Sequence, residues 1–358
     1  MPQPSRALAA SALAVALVAG GAARAQVQGS LTASVGPGFD SNPSRTVGGG
    51  DSPDGFLGLT ASAKARLGLG ESSQVQGRYD LGLRKFFHDG GQDLAVQQLQ
   101  LDASTQLGRA LLGVDATGKW RASWSGERDY KDLGAELFLD WAFNRQVSAR
   151  LSAGARGFLY VLSDFDFVGP QAAASVRWQP YRRHVASLAL FGALPYYRGD
   201  ARTQQTDSSG NYLYSPEQRR RDRQVGGSLS YAYRGPVAAQ LGYAYLRVDS
   251  NSYGEQSERH RLWAAGSVKL PWRLYASAQI AWQFIRYPDG VFLSEDLLLL
   301  DDESQSSAGL KLAFAATDSI DVELRYAAFW IALPAAKGED QGTTWWRHTA
   351  FLGVTFRL

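Results

Sequence analysis

Between Phe56 and Gly70 the chain alternates. Leu57, Leu59, Ala61, Ala63, Ala65, Leu67 and Leu69 fall on one row; Phe56, Gly58, Thr60, Ser62, Lys64, Arg66 and Gly68 fall on the other. A strand turns successive side chains to opposite faces, so one face here is apolar and the other carries fixed charge. The same habit returns about every 15–20 residues up to the C-terminus. It predicts strands over 29–41, 55–69, 73–87, 93–107, 110–125, 133–143, 146–162, 170–179, 184–198, 223–234, 236–249, 259–270, 273–287, 304–315, 319–333 and 345–358. The connections alternate too. Gly70-Glu71-Ser72, Gly108-Arg109, Asn144-Arg145 and Arg234-Gly235-Pro236 are short, whereas Asn42–Asp54, Gly199–Asp222, Pro288–Glu303 and Pro334–Trp345 are long and polar. Tight turns on one side and larger loops on the other are how a transmembrane barrel is strung.

The fold class expected is therefore all-β: a single transmembrane antiparallel up-and-down β-barrel of about 16 strands. At the start, Arg6, the apolar stretch Leu8–Val18 and Ala23-Arg24-Ala25 match a secretory signal. Residues 1–25 are read as that signal and 26–358 as the barrel, with integral placement in a Gram-negative outer membrane. No apolar run reaches the roughly 20 residues a spanning helix needs.

Composition narrows the chemistry. There is no cysteine, so disulfides, thiolate metal sites and a cysteine nucleophile are excluded. The net charge of +3 does not point to nucleic acid in an exported chain. No metal-ligand spacing or phosphate-cradling glycine loop occurs, and no cofactor is expected. The four histidines, His88, His184, His260 and His348, stand in no nucleophile–base pattern, and the chain is not read as an enzyme.

The apolar rows carry Leu112, Val114, Trp120 and Trp124, then Leu137, Leu139, Trp141 and Phe143, with Tyr and Trp near strand ends as at a lipid headgroup level. The opposite rows carry Lys64, Arg66, Arg78, Arg84, Lys119, Arg121, Arg150, Arg156, Arg177, Lys269, Lys311, Arg325 and Arg357. Asp80, Asp102, Asp115, Glu136, Asp140, Asp321 and Glu323 share them. An Arg or Lys on lipid costs about 2–4 kcal/mol at mid-membrane, which sends these rows inward. The pore-lining candidates are Lys64, Arg66, Arg78, Arg84, Lys119, Arg121, Arg150, Arg156, Arg177 and Arg325, together with Tyr160, Trp263 and Tyr275. Two readings stay open: the bases pair and hydrate the wall, or their excess eases the entry of anions such as acidic sugars. Rings at Phe138, Phe158, Tyr160, Phe191, Trp263, Tyr275 and Phe329 either stack sugars or fill space.

At the top of the first strand stands Gly38-Phe39-Asp40-Ser41-Asn42-Pro43. Asp40 and Asn42 are suited to an Asx-type turn, and Pro43 ends a ladder. The element Gly38, Phe39, Asp40, Ser41, Asn42 resembles the one opening outer-membrane barrels tied to exopolysaccharide operons. It is also similar to that of surface-lipoprotein assembly modulators. The resemblance is closest to barrel-only polysaccharide-export porins, akin to the barrel part of the poly-N-acetylglucosamine exporter. The last strand, ending Val354, Phe356, Leu358, is similar to the signal read by the barrel assembly machinery, although Leu358 replaces the commoner terminal aromatic. These resemblances imply a porin-like barrel that exports a polysaccharide of exopolysaccharide, capsule or spore-coat type. The partners implied are outer-membrane lipid, lipopolysaccharide, the assembly machinery and a periplasmic polysaccharide-export protein. A general or anion-selective porin for small solutes, or a non-transporting surface scaffold, fits the same pattern. In the long Gly199–Asp222 connection, Arg219-Arg220-Arg221 and Arg223 read as a solvated or lipopolysaccharide-binding run, the alternative being a basic constriction. Leu297–Leu300 leaves helix, strand and contact surface open.

Overall fold

The computed structural model describes residues 26–45, 52–126, 128–160, 165–208, 212–289, 305–332 and 344–358. The expected signal, the Leu297–Leu300 run and much of the Pro334–Trp345 connection lie outside them.

The described residues form strand segments β1 (Gln26–Asp40), β2 (Asp54–Leu69), β3 (Ser73–Phe86), β4 (Leu94–Leu107), β5 (Ala110–Ser123), β6 (Tyr130–Ala142), β7 (Val147–Tyr160) and β8 (Phe167–Tyr181). They continue with β9 (His184–Ala193), β10 (Tyr196–Thr206), β11 (Tyr212–Arg234), β12 (Val237–Ser250), β13 (Ser257–Lys269) and β14 (Leu274–Arg286). The last three are β15 (Ser306–Ala315), β16 (Ile320–Ala332) and β17 (Thr344–Arg357). Each pairs antiparallel with its neighbours, and β17 returns to β1 in the register Thr32↔Arg357 to Asp40↔Thr349. The sheet closes on itself, so no edge is left to be satisfied in lipid.

β9 and β10 are one strand of the wall, broken at Leu194-Pro195. Proline has no N–H to give the ladder. The neighbours bond across the break nonetheless: Leu194 N donates to Pro170 O at 3.0 Å and Asp222 N to Pro195 O at 3.1 Å. Counting that pair once, the barrel has sixteen strands. The tight turns after β2 and β4 each need a left-handed residue and use Gly70 (φ 75°) and Gly108 (φ 62°).

The Gly199–Asp222 connection is not a loop. Its described residues prolong β10 and β11 into a hairpin, with Arg202 opposite Tyr214 and Thr206 opposite Tyr212. Polar residues on both faces hid it from an alternation test, because its upper part has water on both sides and no oily row. The consequence for the arginine run follows from the period of two. Arg219 and Arg221 are exposed, while Arg220 between them is buried.

Outward faces are apolar and open, as Leu137, Leu190, Leu241 and Ile280 illustrate. The membrane belt is this surface. Strands inside it expose oil and bury polar groups, the inverse of a soluble protein.

Candidate functional site: the lumen and the seam that closes it

Antiparallel register sets the interior out in rows, because residues directly opposite share a face. One row runs from β1 to β6 as Gln28, Arg66, Gln76, Asp102, Asp115 and Glu136. The adjacent row runs Ser30, Lys64, Arg78, Gln100 and Thr117. Together they wall a cavity of about 860 Å³. Its charge is segregated. Lys64, Arg66 and Arg78 stand on β2 and β3; Asp102, Asp115 and Glu136 stand on β4, β5 and β6. A second cavity, of about 610 Å³, is walled by Gln240, Ser267, Gln279, Lys311 and Arg325 on β12 to β16.

All thirteen pore-lining candidates fall on the interior face. Arg78 Nε lies 2.7 Å from Asp80. Arg150 Nε lies 2.9 Å from Asp140 and its NH1 3.4 Å from Asp115, with the guanidinium 3.8 Å over the Phe138 ring. Arg156 grips Asp132 through two bonds of 2.8 and 2.6 Å. Arg325 pairs with Glu323, which also holds Lys311 at 2.5 Å and accepts from Ser34 Oγ at 2.7 Å. Arg66 and Arg177 donate to the amide oxygens of Gln74 and Gln179. Lys64 is exposed toward the larger cavity. Lys119 reaches over the Tyr130 ring. Arg121 is buried beside Arg45, Arg84, Arg128 and Arg347. The basic excess in the sequence list is thus tempered by carboxylates that the list omitted, Asp40, Asp132 and Asp222 above all.

The rings are mostly committed to packing. The Phe138 ring lies where a Cβ on Gly113 would sit, 2.3 Å from it; Phe191 covers Gly226 and Trp263 covers Gly242 in the same way. An aromatic laid on a cross-strand glycine shields backbone that lacks a side chain. Tyr130, Phe158, Phe167 and Tyr197 form a continuous run with centroid separations of 5.4, 5.7 and 5.2 Å. Arg220 caps it, 4.0 Å over Tyr197, and pairs with Asp222 and Glu255. Tyr160 is buried against the same group, whereas Tyr275 stays exposed under Lys269. Phe329 lies under Arg347. Just past β14, burial pushes the Tyr287 phenol up despite the opposing charge of Arg259.

The Gly38–Asn42 element sits at the junction of first and last strands. The Phe56 ring occupies the space beside Gly38. Phe39 points outward and is exposed. Asp40 is fully buried and bound through both oxygens by Arg347. Ser41 N donates to His348 O at 2.9 Å, and His348 N donates back to Ser41 Oγ at 2.9 Å. Asn42 N donates to Asp40 Oδ1 at 3.2 Å, making the Asx turn. The element latches the ring. Sequence reasoning found the turn but missed Arg347, although it shares the inward parity of Arg357, ten positions on in the same strand.

Three histidines face outward onto tyrosine hydroxyls: His184 on Tyr231, His260 on Tyr243 and His348 on Tyr326, at 2.6 to 2.8 Å. They belong to the aromatic girdles. His88 Nδ1 lies 2.9 Å from Asp54 at the long-loop rim.

No protein-family model and no curated protein matches the chain. Solved structures do. The chain is similar to OprB of Pseudomonas putida at 10% identity, with TM-score 0.53 over 93% of this chain and 94% of that one. The outer membrane channel DcaP of Acinetobacter baumannii matches at 13% identity and TM-score 0.53, over 94% and 99%. OmpF of Salmonella typhi, in complex with daunomycin, matches at 11% and 0.50, over 93% and 97%. The chain folds as an outer-membrane porin-type barrel. Sequence identity this low speaks for the fold alone, and the closed ring with its apolar belt places that porin-type barrel integrally in the outer membrane. Barrels of this kind set their tight turns in the periplasm and their longer connections outside, the orientation that puts the β10–β11 hairpin on the outer rim.

Proposed function

We propose that this barrel passes a secreted polysaccharide outward across the outer membrane. The observation that supports it best is the wall of the 860 Å³ cavity. Amides, hydroxyls and charges of both signs (Gln28, Ser30, Gln76, Gln100 and Thr117 among Lys64, Arg66, Arg78, Asp102, Asp115 and Glu136) offer many hydrogen bonds. A chain of hydroxylated rings exchanges such contacts one for another as it advances, which is what conduction requires: binding enough to enter, loose enough to leave. The resemblance of Gly38–Asn42 to barrels of exopolysaccharide operons points the same way, as does the fit of a porin-type fold to a hydrophilic cargo. A periplasmic partner would deliver the chain.

Pairing of Arg150, Arg156, Lys311 and Arg325 with carboxylates favours a second reading, a weakly selective porin for small solutes, over a strongly anion-selective one. Deleting the gene separates the two. Export predicts loss of surface polysaccharide with polymer retained in the periplasm, restored by the intact gene. Normal surface polysaccharide in the deletion strain, with steady open conductance of the purified barrel in planar bilayers, overturns export in favour of the small-solute porin.

A further inference from the structure

Where the β10–β11 hairpin leans on the β12–β13 connection, the structure opens a polar cleft of about 400 Å³ on the outer rim, apart from both lumen cavities. Its volume falls within the range of small-molecule sites. Gln204, Gln218, Asn251, Tyr253, Gln256 and Asp289 line it. The side chains of Gln204, Gln218 and Gln256 form no hydrogen bond with any part of the described chain, so three primary amides stand with donors and acceptors free.

The walls, by contrast, are tied together. Arg202 N donates to Ser252 Oγ at 3.0 Å, and Tyr253 N to Arg202 O at 3.0 Å. Asn251 Oδ1 accepts from Arg221 N at 2.7 Å while its Nδ2 donates to Arg219 O at 3.0 Å. Gly254 N donates to Asp289 at 3.0 Å. Arg202, which also lines the cleft, and Arg220 behind it both bind Glu255, and Arg220 also binds Asp222, so two guanidiniums meet two carboxylates. This cluster is neutral in sum, and beyond it Asp289 is the one formally charged residue of the lining. Tyr253 and Tyr212 stand 5.1 Å apart, centroid to centroid, tilted by 56°. Desolvation, with Tyr212 and Asp289 nearby, pushes the Tyr253 phenol up.

Free amides, a carboxylate acceptor and the Tyr253 ring, backed by Tyr212, in a preorganised cleft make the surface an uncharged sugar requires: each hydroxyl needs one donor and one acceptor, and each ring has an apolar face. We propose that this cleft binds a short stretch of uncharged oligosaccharide at the outer mouth. An anionic sugar is disfavoured by Asp289 beside a neutral ion-pair cluster. The site stands whether or not the barrel exports a polymer.

The test is calorimetric titration of the full-length barrel in detergent with chitotetraose, and with trigalacturonate as the anionic control. Chitotetraose binding, weakened at least tenfold in Gln204→Ala/Gln218→Ala/Gln256→Ala and absent for trigalacturonate, supports the proposal. Tyr253→Phe provides a milder variant, with a severalfold loss expected, and heat-modifiable mobility on gels verifies folding of each. Competition by fragments of the cell's secreted polysaccharide assigns the cleft to the exported chain. Competition by its lipopolysaccharide O-chain assigns it to a neighbouring lipid, and either supports an uncharged-sugar site. Failure of chitotetraose to bind, equal binding by the folded triple variant, or stronger binding of trigalacturonate overturns it. Polysaccharide export in the deletion strain is a separate readout, so the two readings fail separately.

Discussion

Asp40 and Arg347 stand 307 positions apart and meet in a buried two-pronged ion pair, Arg347 Nε at 2.9 and 3.0 Å from the two carboxylate oxygens and NH2 at 2.5 Å from one of them. Their side chains are 0% and 3% exposed. One lies on the first strand and the other on the last, so the contact exists only once the ring has closed. Breaking a buried pair from one side strands the other charge, at a cost of about 3–5 kcal/mol. Asp40→Ala is expected to lower stability by that order, read as a shift of the denaturant midpoint in detergent. The double variant Asp40→Ala/Arg347→Met is expected to cost less than the sum of its parts. Strict additivity would show that the two residues are not coupled.

The same seam allows no side chain at Gly36. A Cβ there falls 2.0 Å from Leu352 O and 2.7 Å from the Cα of Gly353, both backbone atoms that cannot swing away. At Gly82, on the same interior face, a Cβ comes no nearer than 4.0 Å to Val96 O. Gly36→Ala should cost about 1–3 kcal/mol, the usual range for overpacking, and lower the yield of folded barrel. Gly82→Ala should be neutral to within about 0.5 kcal/mol. Equal behaviour of the two in a refolding assay would refute the argument.

Demands repeated along the chain were legible in it, and contacts made once were not. In Phe56–Gly70 the row Leu57 to Leu69 repeats one physical demand seven times, that lipid be met by oil, and seven repetitions survive local noise. The inward parity of Lys64 and Arg66 follows from that row, and that of Arg78 and Arg156 from the same alternation in their own strands, at no further cost. Asp132 belongs to the same rows but lies one residue outside the predicted segment 133–143, where alternation fades, so its grip on Arg156 was missed. Arg347 needed knowledge of ring closure, a relation between the two chain ends that no local window contains. The β10–β11 hairpin was read as a loop for a third reason. Gln204, Gln205, Glu217 and Gln218 meet water on either face, and a strand with two wet faces has no period to detect.

That hairpin yields a prediction of its own. Above Arg202 its register partners are its own residues, as in Thr206↔Tyr212, while the ion pairs of Arg220 with Asp222 and Glu255 lie lower and tie it to the wall. Replacing residues 203–213 with Asn-Gly joins Arg202 to Tyr214 through a two-residue turn suited to a hairpin. The shortened barrel is expected to keep its stability to within about 1 kcal/mol, since the ion pairs of Arg220 remain and the Tyr212–Tyr253 ring contact that is lost lies at the rim. It should lose oligosaccharide binding at the rim, because Gln204 and Tyr212 go with the tip. A marked fall in the denaturant midpoint would show that the hairpin supports the barrel.

Charge segregation in the larger cavity gives the prediction closest to transport. With bases on β2 and β3 and acids on β4 to β6, an ion passing there experiences a field across the lumen, and neutralising one wall leaves the other in command. Lys64→Gln/Arg66→Gln/Arg78→Gln should move the reversal potential in a KCl gradient toward cation preference, changing the permeability ratio by roughly two- to fivefold. Asp102→Asn/Asp115→Asn/Glu136→Gln should move it the opposite way by a similar amount. Both shifts should shrink above about 1 M salt, where the screening length falls to about 3 Å. Shifts of the same sign from the two triple variants, or none from either, would mean that ions do not pass along this wall. The pairing of Arg78 with Asp80 and of Arg150 with Asp115 limits the size of each effect, because a carboxylate relieved of its partner re-pairs with the next base in the row.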